Sequence, residues 1–150
     1  IISFLDLEHL ADRDGRLLSL GQQRRSSLAI GLATDPSIVL LDEPTGSLDL
    51  QSRREVTRML DQSESRTDMV VIATHDLQLV ASWANRVVVL GPDGILADAP
   101  PQTIFEQPDL LKQAHLRPPQ VVELSSQLGA ESPPLTVTSF VDRIAPPEES

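Results

Sequence analysis

The sequence predicts an α/β protein with a doubly wound parallel sheet, and three observations lead to this prediction. Residues 38–41 and 69–73 are short, continuous apolar runs, as in strands that are buried on both faces. Each run is followed by a polar turn and then by a segment expected to be helical, so strands and helices alternate along the chain. The chain has three Phe, one Trp and no Tyr, so Leu, Val, Ile and Ala must form most of the core. In such a sheet, ligands bind at the carboxyl ends of the strands.

The N-terminal elements are predicted from apolar spacing and from turn residues. Residues 1–14 are expected to be helical up to the turn at Asp14-Gly15. A second helix is expected to begin in the polar segment 19–23 and to end at Asp35-Pro36. Its predicted core face consists of Leu28, Ala29, Leu32 and Ala33.

The middle of the chain is predicted to continue the alternation of strands and helices. A turn over residues 43–47 leads to a polar helix over about residues 51–61. Another helix, over residues 77–84, follows the second strand. Residues 86–90 and 94–99 are then expected to form two strands joined by a hairpin-type turn.

The C-terminal third is predicted to be a helical extension. The predicted divisions are an α/β segment over residues 1–100, the extension over 101–144, and a linker or tail over 145–150. Two amphipathic helices are expected in the extension, the first ended by Gly129 and the second over residues 136–144. Their predicted apolar faces are Val121, Leu124 and Leu128 in the first, and Val137, Phe140, Val141 and Ile144 in the second.

Composition narrows the classes of function. The formal net charge is −10, from 22 acidic and 12 basic residues, so no nucleic-acid partner is expected. There is no cysteine, which excludes disulfides and thiolate metal sites. No apolar run approaches the roughly 20 residues of a membrane-spanning helix. Any role at a membrane is therefore expected to depend on a partner protein.

Two acidic side chains follow the first predicted strand directly. An apolar strand that ends in Asp42 and Glu43 is costly to bury unless those carboxylates have a role. Asp42 is placed to bind the Mg²⁺ of a nucleotide, often through water. Alternation along an extended chain directs Glu43 elsewhere, where it could polarise an attacking water. For this pattern alone, the alternative is a strand end with two solvated acids.

Three segments resemble motifs of the ATP-binding-cassette (ABC) ATPases. Residues 42–49, DEPTGSLD, resemble the Walker B and D-loop segment of that family. Residues 18–23, LSLGQQ, resemble its signature motif, and residues 73–76, ATHD, resemble its H-loop. Each segment alone has a structural explanation, namely a helix start, a strand end and a surface histidine. Together, in the family's order and spacing, they resemble a P-loop NTPase (RecA-like) ABC ATPase domain over about residues 1–100.

The resemblance implies roles toward the ATP that this chain would bind itself. Asp42 would hold Mg²⁺ through water, and Glu43 would be the general base toward the hydrolytic water. His75 would contact the γ-phosphate and help to hold Glu43 and the water in place. Phosphoryl transfer depends on positioning and charge stabilisation, so this set of groups is chemically consistent.

The resemblance also implies a second ABC ATPase domain as partner, because in this family two domains enclose two ATP molecules head to tail. Ser19 and Gly21 would reach the γ-phosphate of the ATP bound to that partner, in a homodimer or a heterodimer. A hydroxyl at a helix N-terminus is suited to an anion. Gln22 would support this contact, and Asp49 would couple the two sites across the interface.

The chain departs from the family pattern in two ways. Leu20 replaces a glycine that normally lets the backbone approach phosphate closely. No G-x-x-x-x-G-K-[ST] sequence occurs, so the Walker A lobe is absent, and so are the family's Q-loop and adenine-stacking aromatic. The chain is therefore interpreted as a piece of a larger protein. Alone, it is expected to hydrolyse no ATP and to leave an unpaired sheet edge and uncovered apolar faces.

The extension resembles the C-terminal part of energy-coupling-factor ATPases, which energise the uptake of cobalt, nickel or vitamins. The resemblance lies in residues 104–129 and 134–136, and an ordinary pair of packed helices is the alternative. It implies an importer ATPase that binds an integral membrane transporter subunit at the cytoplasmic face of the cell membrane. Two other hypotheses remain open: an ABC ATPase without transport function, as in DNA repair or translation, and a non-catalytic module that lends its signature motif to a partner.

Overall fold

The computed structural model describes residues 1–144, which form two compact units, residues 1–76 and residues 77–144. The predicted linker or tail over residues 145–150 lies outside the described residues. The division predicted at residue 100 concerns the extent of the ABC-type segment, and it stays a prediction. No helix of residues 1–144 combines the length and the apolar character that crossing a bilayer requires.

The N-terminal segment forms three short 3-10 turns, so the helix predicted over residues 1–14 is wrong. The turns are Ser3–Leu5, Glu8–Leu10 and Gly15–Leu17. No side chain caps the first two turns, and the first ends at Asp6, whose backbone is left-handed at φ 54°. The buried side chains are Leu5, Leu7 and Leu10. Because these residues are two and three positions apart, one regular helix could not place all of them on a single face. The backbone instead forms separate turns that bury all three side chains.

Two helices pack against each other in the first unit. Helix α1 spans Leu20–Leu32, and helix α2 spans Leu50–Ser63. Each helix begins directly after a capping residue, Ser19 for α1 and Asp49 for α2. The buried apolar side chains of the two helices are Leu28, Ala29 and Leu32 in α1 and Val56, Met59 and Leu60 in α2. The predicted core face of α1 is confirmed except for Ala33, which is exposed just beyond the last helical residue.

The two predicted strands form a parallel pair, β1 (Ile38–Asp42) and β2 (Met69–Ala73). Their register aligns Asp42 with Ala73, so the segments that follow both strands leave the same edge of the sheet. The prediction that both strand faces are buried is wrong for the described chain. Leu40 is 74% exposed and Ile38 57%, and Met69 and Val71 are exposed as well. Alternate side chains point to opposite faces, and here only one face is covered, which agrees with the uncovered apolar faces expected from the sequence.

The second unit contains a hairpin and five helices. Its elements are α3 (Leu77–Trp83), β3 (Val87–Gly91), β4 (Gly94–Ala99), α4 (Pro101–Phe105), α5 (Pro108–Gln113), α6 (Gln120–Gln127) and α7 (Val137–Ile144). The predicted hairpin is confirmed: β3 and β4 are antiparallel, and Gly91 is paired with Gly94. Gly94 has φ 137°, a backbone conformation that favours glycine at the end of this tight turn.

The core of the second unit consists of the buried side chains Val89, Ile104, Phe105, Leu111, Val121 and Val122. The face predicted for α6 is partly wrong. Val121 is buried, but Leu124 and Leu128 are exposed, and Val122 and Ser125 are buried instead. The helix ends at Gln127, so Leu128 lies beyond its last turn.

Two further features of the second unit concern the apolar face of α7 and the indole of Trp83. Of the apolar face predicted for α7, only Phe140 packs against the core, whereas Val137, Val141 and Ile144 are exposed. Trp83, at the end of α3, has a buried indole N–H without a hydrogen-bond acceptor in the described chain.

Candidate functional site

The turn after β1 directs Glu43 out of the strand. The backbone N–H of Glu43 donates to the carbonyl of Ala73 at 2.9 Å, which extends the pairing with β2 by one bond. Glu43 then turns into the left-handed region, with φ 45°. A non-glycine residue rarely adopts this conformation, and such strain is common where a side chain must be aimed. Pro44 and Thr45, which follow, are buried, so the turn packs against the rest of the first unit.

The carboxylate of Glu43 lies against the segment that follows β2. One oxygen, Oε1, accepts the backbone N–H of His75 at 2.9 Å and lies 2.6 Å from its Nδ1. The other oxygen, Oε2, accepts the hydroxyl of Thr74 at 2.9 Å. An ionised carboxylate only accepts hydrogen bonds, so the short contact requires the proton on Nδ1. The structure thus brings together Glu43 and His75, both named from the sequence.

These contacts favour the ionised form of the Glu43 carboxyl. Partial burial raises the pKa of the Glu43 carboxyl, but the hydrogen bonds from His75 and Thr74 lower it by more, so it lies below its ordinary value. The side chain of Glu43 is one-third exposed, and that of His75 is 83% exposed. An ionised carboxylate that still reaches solvent, beside an exposed imidazole, can accept a proton from water.

Asp42 lies at the end of β1 and is exposed. Its carboxylate makes no side-chain hydrogen bond or ion pair with any residue from 1 to 144. It borders a groove of about 360 Å³ whose walls include Arg24 and Leu28 of α1 and Leu40 of β1.

Asp42 fits a Mg²⁺ ion that comes with a nucleotide better than an ion held by protein alone. Within residues 1–144, no three His, Cys, Asp or Glu side chains are grouped so that they could hold a metal ion. Mg²⁺ at nucleotide sites takes most of its ligands from phosphate and water and only one or two from carboxylates. A single carboxylate without a protein partner is the donor set that such an ion needs.

A second carboxylate, Asp76, joins the segment after β2 to the rest of the unit. The hydroxyl of Thr45 donates to its Oδ2 at 2.8 Å, and Nη1 of Arg53 lies 3.2 Å from the same oxygen. The backbone N–H of Asp76 donates to the hydroxyl of Thr74 at 3.0 Å. Sequence reasoning assigned no role at the site to any of these residues. Asp76 and Thr74 adjoin His75 in the sequence, but the burial of Thr45 becomes visible only in the fold.

Ser19 and Gln22 form a reciprocal cap at the start of α1. The Ser19 hydroxyl accepts the backbone N–H of Gln22 at 3.3 Å, and the Gln22 side chain accepts the backbone N–H of Ser19 at 3.0 Å. Ser19 and Leu20 are exposed. The hydroxyl proton of Ser19 is not used in the cap, so it can be donated to a ligand.

Asp49 and Gly21 meet at Ser52 in the first turn of α2. The carboxylate of Asp49 accepts the backbone N–H and the hydroxyl of Ser52, both at 2.9 Å. These hydrogen bonds lower the pKa of Asp49. A Cβ atom on Gly21 would lie 2.3 Å from the Ser52 hydroxyl oxygen, so the absence of a side chain at Gly21 allows α1 and α2 to approach closely.

Hydrogen bonds, together with the close approach of Gly21 to Ser52, therefore sort the candidate residues into two groups. The first, the sheet-edge group, contains Glu43, Thr74, His75, Asp76 and Thr45. The second, the helix-start group, contains Ser19, Gly21, Gln22, Asp49 and Ser52. Asp42 makes no side-chain hydrogen bond to either group in residues 1–144.

Comparison with protein families gives one match over part of the chain. Residues 1–46 match the model of the ABC transporter family. This segment includes the signature-like residues and ends in the turn after β1.

Comparison with curated proteins extends the similarity over most of the chain. A Methanopyrus kandleri protein, named as an ABC transporter ATP-binding protein, is 35% identical over 139 residues, which are 92% of this chain and 52% of that protein. The energy-coupling factor transporter ATP-binding protein EcfA of Carboxydothermus hydrogenoformans is 37% identical over 120 residues, 80% of this chain and 44% of that protein. The chain thus spans about half the length of these relatives.

Solved structures of similar fold also include ATP-binding parts of ABC proteins. CbiO1 from Clostridium perfringens, described as part of the ABC transporter complex cbiONQ, matches 83% of this chain and 50% of its own chain, with a TM-score of 0.65 and 28% identity. An ATP-binding cassette in a dimeric post-hydrolysis state, bound to ADP and phosphate, matches 66% of this chain and 43% of its own, with a TM-score of 0.55 and 28% identity.

Proposed function

The chain belongs to the ABC transporter ATP-binding proteins, and on that premise we propose that it is the hydrolytic part of an importer ATPase. ATP hydrolysis is the activity of the family. In this proposal the sheet-edge group acts on the nucleotide of its own protein, and the helix-start group acts on the nucleotide of a partner domain.

The contact between Glu43 and His75 is the observation on which the proposal rests. Glu43 would accept a proton from water as the water oxygen bonds to the terminal phosphorus and the bond to ADP breaks. The partial exposure of the ionised Glu43 carboxylate supports this role, because a base must reach the water whose proton it accepts. His75 would hold the carboxylate through Nδ1, which leaves its Nε2 outside this contact and able to face the phosphate.

Asp42 would hold Mg²⁺ through water beside this pair. The ion, when bound, neutralises phosphate charge and orients the terminal phosphate. The exposure of Asp42 and its lack of a partner in residues 1–144 support the assignment, since a carboxylate already engaged by an arginine would be a poorer ligand.

Ser19, Gly21, Gln22 and Asp49 would act across an interface with a second ABC ATPase domain. The cap formed by Ser19 and Gln22 does not use the Ser19 hydroxyl proton or the backbone N–H groups of Leu20 and Gly21, and such groups at a helix N-terminus bind anions. The dimeric cassette with bound ADP and phosphate supports a paired arrangement, which in our proposal is head to tail. Asp49 would couple the two sites through Ser52 and Gly21.

The importer would take up a metal ion or a vitamin through an integral membrane subunit. The name of the Carboxydothermus relative and the cbiONQ complex of CbiO1 support an energy-coupling-factor type. In this proposal the ATPase lies at the cytoplasmic face of the membrane, attached through that subunit.

The proposal is tested by Glu43→Gln in the product of the full open reading frame. Glutamine retains the shape and the hydrogen-bond acceptor but cannot take up a proton. We expect kcat for ATP hydrolysis to fall by about 100-fold or more, with ATP binding retained and an ATP-dependent dimer visible by size-exclusion chromatography. The 150-residue chain alone is expected to show no turnover.

Glu64→Gln is the matched control, because Glu64 is exposed just beyond the last residue of α2 and belongs to neither group. It should leave kcat unchanged. Turnover by Glu43→Gln within about threefold of the unmodified protein would contradict the role of Glu43 as base. A full-length product that binds ATP without hydrolysing it would favour the non-catalytic module instead.

A further inference from the structure

We propose that Asp76 is a positioning residue for the hydrolytic step. With Thr45 and Arg53 it anchors the short segment that holds His75 against Glu43, without contacting the nucleotide itself. The proposal rests on the function proposed above for Glu43 and His75, and it adds a residue to which no role was assigned there.

The segment after β2 is held by hydrogen bonds rather than by regular secondary structure. Residues 74–76 have no regular secondary structure, and the side chain of His75 is largely exposed. Packing therefore does not hold the imidazole in place. Its position depends on its own two contacts with Glu43 and on the path of the backbone from Thr74 to Asp76, which the flanking residues determine.

Asp76 supplies a fixed point on one side of His75. Its carboxylate accepts a hydrogen bond from Thr45, which is 0% exposed, and is paired with Arg53 in the first turns of α2. A buried hydroxyl needs a hydrogen-bond partner, and the charge of Asp76 makes this bond stronger than a neutral one. The side chain of Asp76 is itself only 12% exposed.

Thr74 supplies the fixed point on the other side. Its hydroxyl accepts the backbone N–H of Asp76 and donates to Oε2 of Glu43. The hydrogen bonds thus run from Thr45 through Asp76 and Thr74 to Glu43, past His75 on both sides. A shift of Asp76 would be transmitted to the two groups that flank the reacting water.

This arrangement predicts an effect on kcat rather than on nucleotide binding. The side chain of Asp76 is directed toward Thr45 and Arg53, and these are not among the residues proposed to hold phosphate or Mg²⁺. Losing the anchor would leave Glu43 and His75 chemically intact but less often correctly placed. Small misplacements of reacting groups are known to reduce rates strongly.

The first test measures the anchor in the product of the full open reading frame, without reference to activity. The backbone N–H of His75 donates to Glu43, so its hydrogen exchange, followed by NMR, reports how often the segment opens. Asp76→Ala is expected to speed this exchange by about tenfold, the effect of one lost hydrogen bond. Asp76→Asn keeps an oxygen for Thr45 but loses the charge opposite Arg53, so it should give a smaller increase and remain folded if Asp76→Ala does not.

Asp35→Asn is the matched control. Asp35 forms an ion pair with Arg66 at 2.7 Å, also across 31 positions of sequence, but it is exposed and belongs to neither group. Its loss should leave the exchange of His75 unchanged. Unchanged exchange of His75 in the folded Asp76 variants would overturn the anchoring.

The second test measures turnover in the product of the full open reading frame. Asp76→Ala and Thr45→Val should each lower kcat by about tenfold or more with the KM for ATP changed by less than about twofold. Thr45→Ser, which retains the hydroxyl, should restore most of kcat, a rescue that general destabilisation would not give. Asp35→Asn should leave kcat unchanged.

The two tests separate this proposal from the proposed function. If the unmodified full-length protein hydrolyses no ATP, the proposed function fails, and the exchange experiment still decides whether Asp76 anchors the segment. If Glu43→Gln abolishes turnover but the Asp76 and Thr45 variants retain it, the proposed function stands and the positioning role is overturned. A parallel rise in KM would also overturn it.

Discussion

The sheet-edge group and the helix-start group are held together by different kinds of contact. Around Glu43, the side-chain hydrogen bonds to Thr74 and His75 join residues 31 and 32 positions apart. Around Ser19 and Asp49, the hydrogen bonds join residues three positions apart, within the first turn of a helix. The first group is a product of the tertiary fold, and the second is mainly a product of local sequence.

This difference fits the two roles proposed for the groups. A hydrolytic pair must be correctly placed before substrate arrives, and hydrogen bonds between the segments that follow two paired strands achieve that. An anion-binding helix terminus needs only the helix itself, and it must stay exposed so that a ligand from another molecule can reach it. The contact between Gly21 and Ser52 is the exception, because it ties the helix-start group to the packing of α1 on α2.

Gly21→Ala tests that exception and should have the largest effect on stability. The new Cβ would lie 2.3 Å from the hydroxyl oxygen and 2.6 Å from Cβ of Ser52, so the two helices must separate. We expect the chain to lose about 1–3 kcal/mol of unfolding free energy, measured by urea denaturation.

Gly31→Ala is the matched control in the same helix. A Cβ at Gly31 meets nothing within 4 Å, so alanine should be neutral or stabilise the helix by up to about 1 kcal/mol. The double variant with Ser52→Gly should lose less than the sum of the two single losses, since removing the Ser52 side chain makes room. Equal effects of alanine at both glycines would show that the helix-start group is independent of tertiary packing.

Ser19 tests whether the helix-start group has a role beyond capping. Ser19→Ala should cost about 1 kcal/mol of stability, because α1 loses its N-cap. Ser19→Asp restores a good cap but places a negative charge where an anion is proposed to bind. We therefore expect Ser19→Asp to match the unmodified protein in urea denaturation and to fall well below it in ATP turnover of the full-length protein. If Ser19→Asp restores turnover together with stability, Ser19 is only a cap.

The pH dependence of stability should show the smallest effect. The pKa values of Glu43 and Asp49 are both lowered in the folded chain, so each carboxylate stabilises the fold above its unfolded pKa. That contribution is lost as the pH falls through the folded pKa. Asp49→Asn keeps a good N-cap, and so it should leave stability near pH 7 almost unchanged while making the loss on acidification shallower. An unaltered dependence of the urea midpoint on pH would contradict the pKa shift at Asp49.

The contrast between local and tertiary contacts also explains how much the sequence predicted. Periodicity and turn residues located both parallel strands, α1, α2 and the β3–β4 hairpin, because their causes lie within a few residues. The resemblance to ABC ATPases implied that Glu43 and His75 meet, and the parallel pairing of the two strands that precede them explains how the fold achieves it. The partnership of Thr45, Arg53 and Asp76 was not predictable, because it depends on which hydroxyl the fold buries.

The incorrect predictions also arise because tertiary burial, rather than local sequence, determines these features. Residues 1–14 have apolar residues that allow a helix, but their course is set by burying Leu5, Leu7 and Leu10. On α6, the expected face included Leu128, which lies beyond the helix end, and the core received Val122 instead. The strands look fully buried in sequence because their composition is apolar throughout, although only one face is covered in the described chain.

Trp83 gives this protein an unusual optical property. It is the sole tryptophan, no tyrosine is present, and its indole lies at the end of α3 in the second unit. Fluorescence excited at the indole band therefore reports the surroundings of α3 alone, because neither group of candidate site residues contains a tryptophan or a tyrosine. Circular dichroism reports helices in both units, so a melting curve recorded by both methods would separate the unfolding of residues 1–76 from that of residues 77–144 without any label.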